Sequence, residues 1–480
     1  MSELCDTSVR KLRRLIGAKQ LSPVELLQAC KQRIETIDPA LNAIPHTCWK
    51  RAEVEARAAQ EQIRRGAPLG ALHGLPIVIK DTQLTEGVRS TLGSPIYAHN
   101  IPAADEQMVA AVRAAGAIVV GKSNVPEFGA GANSTNPVYG TTVNPYDVAR
   151  TCGGSSGGSA VALATSMVPL ATGSDTGGSL RIPAALCGVV GMRPTPGLVP
   201  RGGRTPGWTP ISVYGPIART VDEAALMLSV IAGYDSRDPL SVPVDAASFA
   251  NPPAVDLTTL RVAWSEDLGF APVEPVQRAA LRRAVDAVGP CFAALEKKDP
   301  PLDDADHIFE IIRASQFIAG HMKHYREHRD LLGPNLVENL EQALTFNFED
   351  MAMAQAAHGV LYRRFLDFMD NFDVLLCPVT GSPAFAKETL SPAIIDGIPA
   401  RTYFHWLAPA YGITLTAHPA ISIPCGVDAN GLPFGLQIVG KRGEDRRLLG
   451  IAAALEAHIE ALPQHKRKLP DLAALAAAAS

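Results

Sequence analysis

The sequence predicts an α/β protein built in layers around a largely parallel sheet. Between residues 72 and 235, short apolar runs rich in β-branched residues (75–79, 117–120 and 168–171) alternate with helical or glycine-rich segments. Hydrophobic residues make up 47% of the 480 positions and charged residues 19%, which is typical of a globular protein. No internal repeat or linker interrupts the chain, so we expect one domain over residues 1–480.

Helices are predicted at the start of this domain, in an N-terminal layer over residues 1–70. Ser22-Pro23-Val24-Glu25 has the signature of a helix start, with a capping serine, a proline in the first turn and an acidic side chain. The segment from 72 to 235 is the predicted catalytic core, because the glycine-rich motifs described below lie within it.

Further along the chain, residues 300–372 show apolar side chains at helical spacing and are predicted to form a helical insertion. Residues 372–378 form an apolar run that indicates a strand returning to the sheet. The segment 413–439 is typical of a hairpin, with Asn430-Gly431 as its turn. The alanine-rich tail, 472–480, is expected to fray.

Composition excludes several classes of function. The net charge of −4 gives no basic surface for nucleic acid or for an anionic membrane. No run of 18 apolar residues occurs and the N-terminus lacks a signal peptide, so we expect a soluble cytoplasmic protein without membrane partners. The eight cysteines are scattered without a C-x-x-C pair, which favours buried thiols over disulfides or zinc. We expect neither a metal nor a cofactor.

A phosphate-loop motif is present by letter at Gly116-Ala-Ile-Val-Val-Gly-Lys-Ser123. Its four middle residues should form a loop, but they are strand formers. Pro126 follows where a helix should continue. A buried strand ending in a polar turn is the better interpretation, so nucleotide binding is not predicted.

The run Gly153-Gly-Ser-Ser-Gly157 matches the G-x-S-x-G nucleophile elbow. That elbow must follow an apolar strand, and residues 144–152 do not form one. A Ser-His-Asp triad therefore loses its main support.

Three polar segments remain that packing does not explain: 73–81, 152–159 and 173–181. In the first, Lys80 ends an apolar strand, where burial lowers a lysine pKa and produces a neutral amine that can deprotonate serine. A lysine at a strand end is more often solvated, and Gly-Ser runs are more often flexible linkers. Both glycine-rich segments here lie between apolar elements, however, which is not typical of a linker.

At this point the chain resembles the amidase-signature family. The resemblance rests on Gly-Gly-Ser-Ser-Gly-Gly-Ser (153–159), on Gly-Ser-Asp-Thr-Gly-Gly-Ser-Leu-Arg-Ile-Pro (173–183) and on Cys-Gly-Val-Val-Gly-Met-Arg-Pro-Thr (187–195). It extends to 121–127, 215–219 and 431–440, and so covers nearly the whole chain. It implies a large mixed, mostly parallel central sheet covered by helices on both faces.

The resemblance also implies a role for individual residues. Ser179 matches the nucleophile, Ser155 the bridging serine and Lys80 the base, and the peptide bond between Gly154 and Ser155 is expected to be cis. The oxyanion-hole amides match Thr176, Gly177, Gly178 and Ser179. Asp175 and Arg181 match residues that brace the nucleophile loop without taking part in catalysis.

The implied reaction is hydrolysis of an amide-type C–N bond in a small molecule through an acyl-enzyme. Relatives in this family also cleave aryl amides, esters and carbamates, so urethanase activity is consistent with the resemblance. The loop 128–133 is expected beside the scissile bond, with Gly129, Ala130 and Gly131 as substrate-binding positions. Its two glycines either make room for substrate or serve a tight turn, and both explanations stay open. The loops 200–215 and 400–412, including Phe404 and Trp406, are expected at the entrance.

Two other functions fit the same family. The A chain of the tRNA-dependent amidotransferase typically carries Arg-Gln after the nucleophile, whereas this chain has Arg181-Ile182 and lacks a later Ser-Leu-Asp-Gln stretch. Non-enzymatic members have lost residues of the triad, and all three are present here. The sequence leaves open whether the chain forms a homodimer.

Overall fold

The computed structural model describes residues 3–479, so positions 1, 2 and 480 of the predicted domain lie outside it. Its strands follow one another along the chain in this order: β1 (His46–Thr47), β2 (Pro76–Lys80), β3 (Ile118–Ser123), β4 (Thr135–Asn136), β5 (Gly140–Thr141), β6 (Val143–Asn144), β7 (Asp147–Thr151), β8 (Leu170–Asp175), β9 (Val190–Arg193), β10 (Val213–Ala218), β11 (Arg261–Trp264), β12 (Ala294–Lys297), β13 (Val374–Pro378), β14 (Ile394–Ile395), β15 (Ile398–Pro399), β16 (Ala420–Val427) and β17 (Pro433–Val439).

The α-helices of the same residues lie between and around these strands. They are α1 (Val9–Gly17), α2 (Pro23–Ile37), α3 (Trp49–Arg64), α4 (Gln107–Ala114), α5 (Gly157–Ala164), α6 (Arg181–Cys187), α7 (Val221–Ile231), α8 (Pro275–Val288), α9 (Ala305–His328), α10 (Pro334–Ala343), α11 (Phe348–Met369), α12 (Ala408–Leu415), α13 (Asp445–Glu460) and α14 (Leu472–Ala479).

One central sheet organises the fold. Within residues 3–479 it contains eleven strands in the order β1-β3-β2-β8-β10-β9-β16-β17-β13-β11-β12. The predicted large mixed sheet is therefore confirmed, but it is not mostly parallel, because six of its neighbouring pairs are antiparallel and four are parallel. Parallel neighbours need a crossover, as α4 provides between β2 and β3, whereas short returns such as β16 to β17 give antiparallel pairs.

Helices cover both faces of this sheet, as predicted. In β2, Ile77 and Ile79 pack in one hydrophobic cluster and Val78 in another, because consecutive side chains of a strand point to opposite faces. The first cluster includes buried residues of α1, α4, α7, α8 and α13. The second includes residues of α3 and α5, so the end of β2 lies beneath the glycine-rich segment that starts α5.

Three predicted strands between residues 72 and 235 are confirmed, and each begins within two residues of its predicted start. The runs 75–79, 117–120 and 168–171 form β2, β3 and β8. The phosphate-loop motif is part of β3, as its strand formers indicated. Before the G-x-S-x-G motif, β7 pairs with β6 in a small sheet apart from the central one, and its Arg150 forms a bridge with Ala386. It is largely exposed, so it is not the buried strand that a nucleophile elbow requires.

The predictions for the helical segments outside residues 72–235 have mixed outcomes. Ser22 caps α2 by accepting a hydrogen bond from the Val24 amide, while Glu25 accepts one from the Ser22 amide. Helices α9, α10 and α11 occupy the 300–372 segment, whose status as an insertion stays a prediction. The expected fraying of the tail is wrong for residues 472–479, because α14 forms there and buries Leu475.

Residues 372–378 form β13 beside β17, and the Asn430-Gly431 turn joins β16 to β17, as predicted. Across residues 3–479, we find no helix with the length and apolar character needed to cross a bilayer.

Candidate active site

Lys80 ends β2 and is fully buried. Its Nζ forms hydrogen bonds with the hydroxyl oxygens of Ser155 at 2.7 Å, Ser156 at 2.9 Å and Ser174 at 2.9 Å. A hydroxyl can donate as well as accept, so this set of partners accommodates a neutral amine as readily as an ammonium. The predicted contact between Lys80 and Ser155 is thus present.

Burial lowers the pKa of Lys80 to about 7. The negative charge of Asp175 opposes this shift, and the positive charge of Arg201 adds to it. A base whose pKa lies near the working pH is unprotonated in a useful fraction of molecules and still accepts a proton well. The electrostatics of this side chain therefore suit proton abstraction near neutral pH.

Ser155 lies in the segment that connects β7 to α5, and it is 3% exposed. The peptide bond between Gly154 and Ser155 is cis, as the family resemblance implied. Ser134 anchors this segment, since its hydroxyl donates to the Gly153 carbonyl at 2.9 Å and accepts from the Gly157 amide at 3.2 Å. The bridging hydroxyl is therefore held against Lys80 by a fixed backbone.

Ser179 lies between β8 and α6 and is half-buried. It lines a cavity of about 290 Å³ together with Thr176 and Gly177. Its carbonyl accepts a hydrogen bond from the Ser156 amide at 3.3 Å, which joins the two serine-bearing loops. A small ligand in this cavity would thus lie against Ser179.

Backbone amides around Ser179 could bind a developing oxyanion. Within residues 3–479, the amides of Thr176, Gly177 and Ser179 donate no hydrogen bond. Gly178 is the exception among the predicted donors, because its amide donates to Asp175 Oδ1 at 2.9 Å. The free donors at this loop are consequently the amides of Thr176, Gly177 and Ser179.

The Asp175 carboxylate braces this loop through buried ion pairs. Arg181 donates to both of its oxygens, from Nη2 at 2.9 Å and from Nε at 3.0 Å, and Arg193 Nη1 donates to Oδ1 at 3.2 Å. Burial by itself would raise the pKa of Asp175, but the two guanidinium groups hold it well below its usual range. The predicted bracing contacts are present, and Arg193 joins them.

The loop predicted beside the scissile bond is only partly in the cavity. Gly129 and Gly131 line it, but Ala130 lines a neighbouring cavity with Leu336 instead, so its prediction as a substrate contact is not supported. The φ angles of the two glycines are +73° and +120°, which only glycine adopts without strain. The turn alone therefore accounts for both glycines.

The predicted entrance loops also differ in outcome. Arg201 and Thr205 of the 200–215 loop line the cavity, as expected. Phe404 and Trp406 instead belong to the buried core, and from their neighbourhood only Leu407 reaches the cavity. These two aromatic side chains are used for packing.

Sequence reasoning missed several residues of the site. Ser156 and Ser174 contact Lys80, although each is adjacent to a predicted residue. Phe309 and Arg313 reach the cavity from α9, which no local motif marks. Among residues 3–479, no three His, Cys, Asp or Glu side chains lie close enough together to hold a metal ion.

Comparison with known sequences finds similar proteins over nearly the whole chain. The profile described as Amidase matches residues 25–449. An acylamidase of Rhodococcus erythropolis is 34% identical over 459 residues, covering 94% of this chain and 95% of that protein. The A chain of the glutamyl-tRNA(Gln) amidotransferase of Anaeromyxobacter dehalogenans (strain 2CP-C) is 35% identical over 489 residues, covering 96% of this chain and 98% of that protein.

Solved structures give the same result at the level of the fold. A bacterial aryl acylamidase belonging to the amidase signature enzymes superposes with a TM-score of 0.86 at 28% identity. The superposition covers 95% of this chain and 97% of that one.

Proposed function

This chain belongs to the amidase family, and from that premise we propose that it hydrolyses an amide C–N bond of a small molecule through a Ser179 acyl-enzyme. The observation that carries the proposal is the 2.7 Å contact between the buried Lys80 amine and the Ser155 hydroxyl. Neutral lysine is an established base for serine in hydrolases.

In the proposed first step, protons move along a relay. Lys80 accepts the proton of Ser155 while Ser155 accepts the proton of Ser179, and the Ser179 oxygen attacks the substrate carbonyl carbon. Negative charge then develops on the carbonyl oxygen, where the free amides of Thr176, Gly177 and Ser179 would stabilise it. One such donor contributes about 3 kcal/mol to a comparable transition state.

In the second step, the leaving nitrogen takes the proton back through Ser155, and the C–N bond breaks to leave an acylated Ser179. Water then attacks the acyl carbon with the same relay as base, which releases the acid and restores the enzyme. Asp175 and Arg181 take no proton in this scheme. They hold the loop that carries the nucleophile.

The bond is proposed to be an acyl amide or aryl amide, because the acylamidase and the aryl acylamidase are among the relatives. Esters and carbamates have the same attackable carbonyl, so the proposal extends to them and includes urethanase activity. The identity to an amidotransferase chain supports a second candidate, in which this protein releases ammonia within a complex. Hydrolysis of an amide by the purified chain alone would decide against that candidate.

Labelling with a neutral fluorophosphonate tests the nucleophile directly. We expect stoichiometric labelling of the wild type, none of Ser179→Ala, and labelling slowed by ~100-fold or more in Lys80→Met, because the base is lost. Ser248→Ala is the matched control, since the Ser248 hydroxyl is outside the cavity and donates only to the Asp245 carbonyl of its own turn. Labelling of Ser179→Ala at the wild-type rate would contradict the proposal, as would unchanged anilide hydrolysis by that variant.

A further inference from the structure

Two arginine side chains reach the cavity that Ser179 lines. Arg313 comes from α9, and Arg201 comes from the loop between β9 and β10. Both differ in their hydrogen-bond partners from four buried arginines elsewhere in the molecule.

Four buried guanidinium groups elsewhere are paired with carboxylates. Arg181 and Arg193 bond to Asp175, Arg204 bonds to Asp238 at 3.0 Å, and Arg219 bonds to Glu223. Such pairing is the general rule, because a buried charge without a counter-charge is costly.

Arg313 has only neutral partners among residues 3–479. Its Nε donates to Asn339 Oδ1 at 3.1 Å and its Nη2 donates to the Tyr403 hydroxyl. Its guanidinium carbon also lies 4.4 Å from the ring centroid of Phe317. No carboxylate of the described chain lies within 4.0 Å, and Nη1 donates no hydrogen bond there. The positive charge of Arg313 is therefore held in place by neutral groups, and its Nη1 can still donate to a ligand.

Arg201 is held in a comparable way. Its Nη1 donates to the Ser212 hydroxyl at 2.6 Å, and its guanidinium carbon lies 4.9 Å from the ring centroid of Tyr214. Burial lowers the pKa of Arg201, and the charges of Glu106 and Asp238 oppose this shift. Neither carboxylate forms an ion pair with Arg201 in residues 3–479. Glu106 accepts instead from the Tyr214 hydroxyl, and Asp238 pairs with Arg204.

The remaining wall of the cavity supplies no negative charge. No aspartate or glutamate of residues 3–479 lines it, and Phe128, Phe309 and Phe317 provide apolar surface. His321 also lines it, with a buried Nδ1 that has no hydrogen-bond partner in the described residues. Burial lowers the pKa of His321 to about 4, so this ring is neutral at pH 7 and leaves the positive charge to the arginines.

We propose that the substrate carries a carboxylate, which Arg313 and Arg201 bind, next to an apolar or aromatic group that packs on the phenylalanines. This inference rests on the proposed function, because it assumes that the amide lies against Ser179. A guanidinium binds a carboxylate through parallel N–H donors in a geometry that a neutral amide cannot match. The cavity volume of about 290 Å³ suits a small acid of this kind.

The test compares two ligands that differ in charge and hardly in shape, 4-acetamidobenzoate and 4-acetamidobenzamide. Each is titrated for its ability to protect Ser179 from fluorophosphonate labelling, so the result does not depend on turnover. We expect the wild type to be half-protected by the acid at a concentration ~10-fold or more below that of the neutral amide, and 0.5 M salt to narrow this ratio.

Variants identify the groups responsible. Arg313→Gln should bring the two half-protecting concentrations within about threefold of each other by weakening the acid alone, and Arg201→Gln should reduce the ratio in the same direction. Arg313→Lys keeps the charge and should keep part of the ratio, which guards against a folding defect. Arg326→Gln, on the exposed end of the same helix, is the matched control and should leave the ratio unchanged.

The outcomes separate the two proposals. Equal protection of the wild type by both ligands, or protection by neither at millimolar concentration, overturns the carboxylate inference while labelling of Ser179 still supports the hydrolase. Absence of labelling in the unprotected wild type overturns the proposed function itself.

Discussion

Lys80 and Lys122 are both fully buried lysines on neighbouring parallel strands, but their surroundings differ. Lys80 pairs in register with Ser123, and Lys122 pairs with Ile79. Because paired residues share a face and consecutive residues alternate, the two side chains project from opposite faces of the sheet. Burial lowers both pKa values, to about 7 for Lys80 and about 8 for Lys122.

The hydrogen-bond partners make the difference between them. The Lys80 amine contacts three hydroxyl groups, which can donate or accept. The Lys122 amine donates to the Gln83 carbonyl, which can only accept, and to the hydroxyls of Thr85 and Ser90 at 3.0 Å each. Asp81 also raises the pKa of Lys122.

Burial therefore lowers the pKa of both lysines, and their hydrogen-bond partners determine which of them can exchange a proton with a neighbour. Lys122 holds the chain that follows β2, whereas Lys80 contacts Ser155, with which it exchanges a proton in the proposed mechanism. The two residues form a natural pair for separating catalysis from stability.

The largest expected effect is on activity. Lys80→Met should reduce kcat/KM for a neutral anilide by ~10³-fold, because the proposed general base is lost. Lys122→Met should reduce it by less than ~10-fold, since this side chain only supports the strand next to the base. Steady-state kinetics of the two purified variants would check this. Similar losses in both would remove the distinction between the lysines.

The second effect is on stability and has the opposite order. Lys122→Met should lower the free energy of unfolding by ~1–3 kcal/mol, because the Gln83 carbonyl and two hydroxyls lose a buried donor. Lys80→Met should cost about 1 kcal/mol or less, because its hydroxyl partners can reorient and bond one another. Urea denaturation at pH 10 measures both values, because the free-energy penalty of deprotonating the buried lysines has largely disappeared near the unfolded pKa. A larger loss in Lys80→Met would reverse the assignment.

The third prediction concerns the pH dependence of catalysis. The proposed mechanism requires the neutral form of Lys80, so kcat/KM should fall about tenfold per pH unit below its pKa of about 7. Arg201→Gln removes a positive charge that lowers this pKa, so the acidic limb should move to higher pH. A neutral substrate should be used, since the same side chain is proposed to bind a carboxylate.

Lys122→Met is the control for this profile and should leave the limb in place. If the acidic limb moves in Lys122→Met but not in Arg201→Gln, the limb reports the titration of Lys122 and the prediction for Lys80 is wrong.

The smallest effect, taken over a single pH unit, is the pH dependence of stability. Each lysine has a lower pKa in the folded than in the unfolded chain, so the unfolded state binds more protons between the two values and stability rises with pH there. For Lys80 the rise begins near pH 7 and for Lys122 near pH 8, and both end near the unfolded value. Each methionine variant should lose the rise in unfolding free energy that its own lysine causes over that pH range. The loss in slope is at most ~1.4 kcal/mol per pH unit. Denaturation series from pH 6 to 10 would show it, and identical curves for both variants would contradict the two windows.

The comparison also shows how far the sequence can be interpreted. Leu75-Pro-Ile-Val-Ile precedes Lys80, and Ala117-Ile-Val-Val-Gly precedes Lys122, so local pattern predicts burial for either lysine. Nothing in these runs says which amine meets the Ser155 hydroxyl. That choice depends on Ser155 and Ser174, which are distant in sequence and arrive through the topology of the sheet.

Strands, capping and the bracing ion pair of Asp175 with Arg181 were accessible because each depends on neighbours in sequence or on a recognisable motif. The substrate cavity was not, because Phe309, Phe317 and Arg313 come from a helix whose spacing is that of any packed helix. The prediction of a mostly parallel sheet failed for a related reason. Runs of apolar residues indicate that a strand is buried but not the direction of its neighbour.

Two helices begin close to Ser155 and Ser179, and their backbone dipoles add to the charges of the side chains. Helix α5 begins at Gly157, two residues after Ser155, and α6 begins at Arg181, two residues after Ser179. The first turn of a helix carries a partial positive charge, which disfavours a proton on a nearby amine and favours negative charge on a nearby oxygen. The peptide backbone itself thus biases the site toward neutral lysine and anionic serine. Redesign of the cavity wall for a new substrate would leave this macrodipole contribution intact.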